Sequence, residues 1–276
     1  MVARALGAAP TFVEVGAGRG ALARAVLDAG AWTGHRYVCV ERAAVLRAAA
    51  AELVPEAEVR RDLPAAPVDG VVLANELLDN LPFRLFERRQ TGWVEVGVAP
   101  DGGEVLAPAD LATSERVERL APEAPVGGRV PLQDRAVHWL ATALERVRHG
   151  RVVVVDYADV TASLSRRPWL DWARTYRAHQ RGGHPLDAPG HQDVTCEVAV
   201  DQLALVRPPD EDRTQAEWLS ASGLDELVAE ARATWHERAA IGDLAALRAR
   251  SRVGEADALT DPTGLGAFRV LEWVVG

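Results

Sequence analysis

The sequence contains no lysine. All 31 basic residues are arginine, against 40 acidic ones, giving a formal net charge of −9 over 276 residues. Without lysine, the Tyr-x-x-x-Lys pair of nicotinamide-dependent oxidoreductases is impossible. An acidic chain with no basic tract also makes a poor nucleic-acid binder, so neutral or cationic partners are expected. Cysteine is scarce: Cys39 and Cys196 cannot build a metal cluster and read as reduced, structural thiols. The first residues show no basic segment followed by a long apolar core, so no signal peptide is expected. Aliphatic runs stop at about four residues, as in Val152–Val155, far short of the roughly 20 that span a bilayer. These absences lead us to expect a soluble, cytoplasmic protein with neither a membrane nor a nucleic acid as partner.

What is present is a βα rhythm. Strands are expected at Thr11–Val15, Arg36–Glu41, Glu58–Arg61 and Asp69–Ala74, with helices at Ala21–Ala29 and Ala43–Leu53 between them. Near-continuous apolar strands alternating with helices predict an α/β fold, a mostly parallel doubly wound sheet covered on both faces. The rhythm then changes to an antiparallel excursion, with strands at Phe83–Phe86 and Trp93–Val98 and a turn at Asp101-Gly102-Gly103. A helix is expected over Gln133–Val147 and a buried fifth strand over Arg151–Tyr157. Residues from about 158 to 213, rich in Arg, Pro, Gly and His, read as an inserted cap in a single domain spanning 1–276. Thr214-Gln-Ala-Glu217 matches a capping box. One long helix is expected from Leu224 to about Arg250, and Phe268–Val275 as a closing, antiparallel C-terminal strand.

The first strand runs into Glu14-Val-Gly16-Ala-Gly18-Arg-Gly20, three glycines spaced G-x-G-x-G. Side-chain-free positions let a backbone lie flat against a nucleoside-bearing ligand. A dinucleotide fold shows G-x-G-x-x-G and holds a pyrophosphate on a helix N-terminus. Here the third glycine comes one residue early, and an acid precedes the loop. That combination suits a cationic cofactor, S-adenosyl-L-methionine (SAM), better than a pyrophosphate. Glu14 would fix the loop or the methionine end of the cofactor. Glu41 ends the second strand, where an acid in a doubly wound fold accepts bonds from ribose hydroxyls. Asp62, after the third strand, is a candidate for the adenine.

The fourth strand ends in Asn75-Glu76-Leu-Leu-Asp79-Asn-Leu-Pro82. Strand C-termini open into the ligand crevice of such sheets, so Asn75 and Glu76 are expected at the cofactor's reactive end. On a helical turn Asp79 would share a side with Glu76. Two carboxylates there would bind a cationic acceptor, orient its nitrogen and ease loss of its proton. Alternatively, Asn75 is a turn former and the two acids simply stabilise a helix N-terminus.

Together, Val-Glu-Val-Gly-Ala-Gly-Arg-Gly-Ala-Leu and Ala-Asn-Glu-Leu-Leu-Asp-Asn-Leu-Pro-Phe resemble the MidA family of class I SAM-dependent methyltransferases. Val40-Glu41-Arg42, Val154-Val155-Asp156-Tyr157, Tyr176-Arg177-Ala178-His179, Gly190-His191-Gln192-Asp193-Val194-Thr195 and Thr214-Gln215 continue the resemblance in order. It implies a Rossmann-like class I methyltransferase fold and transfer to a nitrogen acceptor, with a protein arginine side chain favoured. Ala17 stands where the family commonly has Pro, and Ala158 where it usually has Gly. The glycine loop starts within about twenty residues of Met1, so the helical segment that usually precedes it in the family is expected to be lacking.

Asp156 and Tyr157, at the end of the fifth strand, either contact substrate or cap the following loop. His191, Asp193 and Thr195 are expected in a hydrogen-bonded loop shaping the acceptor site. Joined to His179 and His184 they still match no common zinc spacing, and SAM-dependent transfer needs no metal, so none is expected. Trp139, Trp169, Trp172 and Trp218 read as packing residues. Two other functions stay open: a non-catalytic assembly or binding protein on the same fold, and a small-molecule methyltransferase.

Overall fold

The computed structural model describes residues 9–30, 35–178 and 180–276. The chain forms two compact units. The first holds the described residues up to Asn75, together with Leu144–Val155 and Pro209–Gly276; the second holds Glu76–Ala143 and Asp156–Pro208.

The first unit is built on a seven-stranded sheet. Its strands are β1 (Thr11–Val15), β2 (Arg36–Val40), β3 (Glu58–Arg60), β4 (Val68–Asn75), β5 (Val147–Asp156), β6 (Glu211–Thr214) and β7 (Arg269–Val275). They lie in the order β6-β7-β5-β4-β1-β2-β3. β1 pairs parallel with β2 and β4, β2 with β3, and β4 with β5; β6 and β7 are antiparallel. This is the doubly wound order with the C-terminal strand slipped between the fifth and sixth. The central strands are apolar on both faces because both faces are covered: Val71, Val72, Leu73 and Ala74 are all buried, as are Val152–Val155. Two glycines make the strand spacing possible. A Cβ on Gly70 would lie 1.9 Å from the Thr11 carbonyl oxygen, and one on Gly150 would lie 1.9 Å from that of Gly70.

Helices α1 (Ala21–Asp28) and α2 (Ala44–Leu53) follow β1 and β2, where the sequence places them. Helix α3 (Gln215–Ala221) opens on the expected capping box, with Thr214 and Glu217 each bonding the other's backbone amide. The expected long helix is instead two, α4 (Leu224–Arg238) and α5 (Leu244–Thr260). Gly242 turns the chain at φ +65, and Asp243 restarts it by accepting from the Ala246 amide. Continuous Ala/Arg/Glu composition hides this break.

In the second unit a four-stranded antiparallel sheet contains Arg84–Arg89 and Gly92–Val98, as anticipated, flanked by Glu104–Pro108 and Arg129–Leu132. Helix Leu111–Leu120, capped by Asp110, closes over Phe86, Trp93 and Val130. Residues 158–208 fall in this unit as short elements around Leu164, Trp172, Ala173, Cys196 and Ala199. Gln133 braces them: it donates to the Glu197 carbonyl at 2.9 Å and accepts from the Ala199 amide at 2.6 Å. Both cysteines are buried and free, and burial pushes the Cys39 thiol up to about 12. No helix among the described residues is long and apolar enough to cross a membrane.

Candidate active site

The glycine loop follows β1 at the sheet's C-terminal edge, where Val15 registers with Ala74 of β4. Gly16, Gly18 and Gly20 take φ of +75, +55 and +82, values an L side chain resists by about 1–2 kcal/mol each. Gly20 is also the N-cap of α1 and brings no side chain of its own to that helix's first amides. A Cβ added at Gly18 meets no atom within 4 Å among the described residues beyond its chain neighbours. Gly18 therefore leaves open space beside the loop's backbone, whereas a Cβ on Gly20 would meet Val54 at 2.7 Å.

Two acids hold it. Glu41 accepts from the Gly18 amide at 2.9 Å and from the Ala43 amide at 2.8 Å. These bonds occupy two of the four or so acceptor positions of a carboxylate, which leaves capacity for two ribose hydroxyls. Glu14 is only 6% exposed. It accepts from the Tyr37 hydroxyl at 2.7 Å. Burial lifts its pKa to about 7, against the lowering effect of the Tyr37 bond and the Ala23 amide. These bonds tie β1 to β2 and to the first turn of α1. The sequence reading missed Tyr37. The signal was an acid and a tyrosine on the same face of adjacent strands, beside the Phe12–Tyr37 ring contact at 4.9 Å. Asp62 is exposed just after β3, and Asn75 is the exposed last residue of β4.

The second unit carries the acidic cluster. Glu76 is exposed at φ +49, a left-handed conformation for a residue with a side chain. Its carboxylate accepts from the Tyr157 hydroxyl at 3.3 Å. A short 3₁₀ turn, Leu78–Asn80, follows. It does not place Asp79 on the same exposed side as Glu76, because Asp79 turns inward to 2% exposure. There it accepts from the Asn80 side-chain amide at 2.7 Å. Burial first, and the Glu76 charge second, raise its pKa to about 6.

Asp156 is a correction. Expected as a candidate substrate contact, it is 1% exposed and bonded inward. One oxygen accepts from the amides of Leu78 and Asp79 at 3.0 and 3.2 Å, the other from the Tyr157 amide at 3.1 Å. Burial and the neighbouring Asp79 push this carboxyl well above the usual carboxylate range. Tyr157 is half-buried, with the Arg174 guanidinium 5.8 Å from its ring centre, and burial and the acids raise its hydroxyl pKa.

His191 and Asp193 are exposed, Asp193 opening the strand that pairs with Tyr176. Thr195, further along that strand, is buried. His184 stacks edge-on against Trp169 at 5.2 Å, and His179 lies outside the described residues. No group of His, Cys, Asp and Glu suited to a metal occurs among the described residues.

A family profile described as "Putative S-adenosyl-L-methionine-dependent methyltransferase" matches residues 2–211, well over half of the chain. The chain belongs to this family. Its cofactor is SAM, and the glycine loop, with its open position at Gly18, fits that group. Comparison with curated proteins gives no match. Among solved structures, the methyltransferase resembles an uncharacterized protein from Burkholderia thailandensis, with a TM-score of 0.82 at 24% identity. That match covers 99% of this chain and 77% of the other. It also resembles a member of the same superfamily from that organism bound to S-adenosyl-homocysteine (SAH), with a TM-score of 0.77 at 23% identity, covering 99% and 75%. At these identities the likeness shows the fold, a Rossmann-like α/β arrangement.

Proposed function

We propose that this methyltransferase acts on a nitrogen acceptor, and that the acceptor is the guanidinium of a protein arginine. The observation that carries this reading is Glu76. Its carboxylate is exposed on a turn at φ +49 and clasped by the Tyr157 hydroxyl, with Asp79 buried close enough to feel its charge. Such a carboxylate attracts a cation and accepts two N–H bonds in a fixed plane, which a guanidinium supplies. The resemblance to the MidA family supports the same acceptor.

Bound SAM supplies an electrophilic methyl group on a sulfonium. Toward that group, Gly16 and Gly18 give backbone access, Gly20 turns the loop into α1 close against Val54, Glu41 braces Gly18 and offers its remaining acceptor positions to the ribose, and Glu14 locks the loop from beneath. Asp62 and Asn75 stand at exposed ends of β3 and β4, as adenine and cofactor contacts respectively. Glu76 binds and orients the acceptor nitrogen and takes the proton that must leave as the new N–C bond forms. Asp79, ionised above about pH 6, adds negative potential from behind. Tyr157 fixes the Glu76 rotamer, and His191 and Asp193 contribute to the acceptor's rim. Positioning and electrostatics then supply most of the rate.

Incubation of the purified chain with methyl-labelled SAM and a cell lysate tests this reading. Label should enter protein and be recovered as methylarginine after hydrolysis. Label in small metabolites would instead indicate a small-molecule methyltransferase, and SAM binding without transfer a scaffold. Glu76→Gln should keep SAM affinity within about twofold and cut transfer about 100-fold or more; wild-type turnover in that variant sinks the assignment.

A further inference from the structure

Glu76 does not hold its own position. A residue at φ +49 lies in sparsely populated conformational space and persists only where its surroundings impose it. Those surroundings converge on one buried carboxyl. Asp156 binds the amides of Leu78 and Asp79, on the turn that carries Glu76, and also the amide of Tyr157, whose hydroxyl closes on Glu76. The two segments are about 77 residues apart in sequence, so a single side chain joins both arms of the clasp. The rest of each arm is tied down as well. The Tyr157 carbonyl accepts from the Val198 amide at 2.8 Å, and the Asn80 side chain donates to the Glu76 carbonyl at 3.2 Å. The strand Asp193–Cys196 packs against the 3₁₀ turn, and Gln133 donates to the Cys196 sulfur at 3.3 Å. Being nearly fully enclosed, Asp156 touches no substrate, and its effect has to pass through these amides.

We propose that Asp156 is the positioning residue of the methyl-transfer reaction, setting the Tyr157–Glu76 clasp by holding the backbone of both partners on one carboxyl. This rests on the reading that Glu76 meets the acceptor. Replacing Asp156 by asparagine keeps the size and one accepting oxygen. It sets an NH₂ group against one of the three amides, so one arm of the clasp must move. Tyr157→Phe removes the hydroxyl that closes on Glu76 and keeps the backbone bonds of residue 157.

The test uses the full chain carrying Asp156→Asn or Tyr157→Phe, each alone and combined with Glu76→Gln. The readout is SAH formation from SAM with lysate protein as acceptor, alongside SAH affinity by calorimetry. Each single variant should lose about tenfold to 100-fold in kcat, with the KM for SAM unchanged. In the Glu76→Gln background neither should lose more than about a further twofold, because an effect that passes through Glu76 has nothing left to act on. A general loss of folding would multiply with Glu76→Gln instead, and multiplied losses overturn the proposal. Wild-type kcat in Asp156→Asn beside an impaired Glu76→Gln also overturns it and leaves the acceptor site standing. Wild-type kcat in Glu76→Gln removes the acceptor site and the proposal together. Should Asp156→Asn fail to fold, Tyr157→Phe decides: full activity there overturns the clasp.

Discussion

Replacing Gly18 by alanine separates cofactor binding from folding. Gly18 sits at φ +55, where a non-glycine residue costs about 1–2 kcal/mol. Among the described residues beyond its chain neighbours the added Cβ would meet no atom within 4 Å, so no packing penalty joins that cost. At about 2–4 °C per kcal/mol, the melting temperature should fall by about 2–8 °C. The new methyl group enters open space beside the loop, where a cofactor lying against bare backbone would have to be. Affinity for SAH should therefore drop at least about tenfold, or 1.4 kcal/mol. Gly20→Ala provides the contrast. Its φ of +82 carries a similar backbone cost, but its Cβ would sit 2.7 Å from a Val54 methyl and 3.4 Å from the Ala50 Cβ. Overpacking of that kind adds about 1–3 kcal/mol, so this variant should melt lower than Gly18→Ala. Calorimetric titration with SAH and thermal unfolding of both variants settle the matter. A Gly18→Ala protein that binds SAH as tightly as wild type would refute the placement of the cofactor on this loop, and the reverse order of melting would refute the steric argument.

Three further outcomes follow. Glu14 has a folded pKa of about 7 against an ordinary 4.5, so its neutral form contributes stability that is fully present below about 4.5 and lost as pH rises through 7. The difference amounts to about 3 kcal/mol. Glu14→Gln should flatten the pH dependence of urea-unfolding free energy between pH 5 and 8, and an unchanged slope would show that the carboxyl is not confined as described. Asp79 protonates at about 6, which removes negative potential from Glu76, so kcat should fall as pH drops through that value; Asp79→Asn, which carries no charge there, should lose that limb. Gly70→Ala would force a Cβ to 1.9 Å from the Thr11 carbonyl oxygen, backbone against backbone with nothing flexible to yield. It should give no soluble folded protein, and a cooperative melt from this variant would contradict the β1–β4 spacing.

The fold was most legible where local chemistry and long-range packing agree. The Thr11–Val15 strand appears with the bounds read for it, because an apolar run stops at glycines that can take positive φ. The capping box at Thr214 appears as read because both of its bonds are made within four residues. The break between α4 and α5 was less legible, since one isolated glycine in an Ala/Arg/Glu stretch reads as a tolerated interruption. The helix Leu111–Leu120 left a local mark in Asp110, whose carboxylate accepts from the Thr113 amide at 2.9 Å, but the mark went unread. The strands Ala173–Arg177 and Asp193–Cys196 left almost none, being short and polar and paired across a loop. At the site, residue type and position pointed to Glu76 and Asp79, yet not to which of them faces outward. For Asp156, the end of an apolar strand suits an acid that meets a ligand and one that folds back equally well. What decides is a pair of amides contributed by residues 77 and 78 positions away.

This distribution has a consequence for genetics. Gly16, Gly18, Gly20, Glu14 and Glu41 all belong to the first unit, whereas Glu76, Asp79, Asp156 and Tyr157 all belong to the second. The loop is braced from within its own unit by Glu41 and Tyr37, and the carboxyl cluster from within its own by Asp156, Val198 and Asn80. With each set braced by bonds inside its own unit, conservative substitutions should sort into two phenotypes. Changes in the first set should weaken SAH binding, and changes in the second should spare binding but slow transfer. Scoring affinity and turnover over both sets tests that division. If Tyr157→Phe or Asp79→Asn weakened SAH binding by tenfold or more, the carboxyl cluster would have to be part of the cofactor site itself, and the assignment of Glu76 to the acceptor would lose its basis.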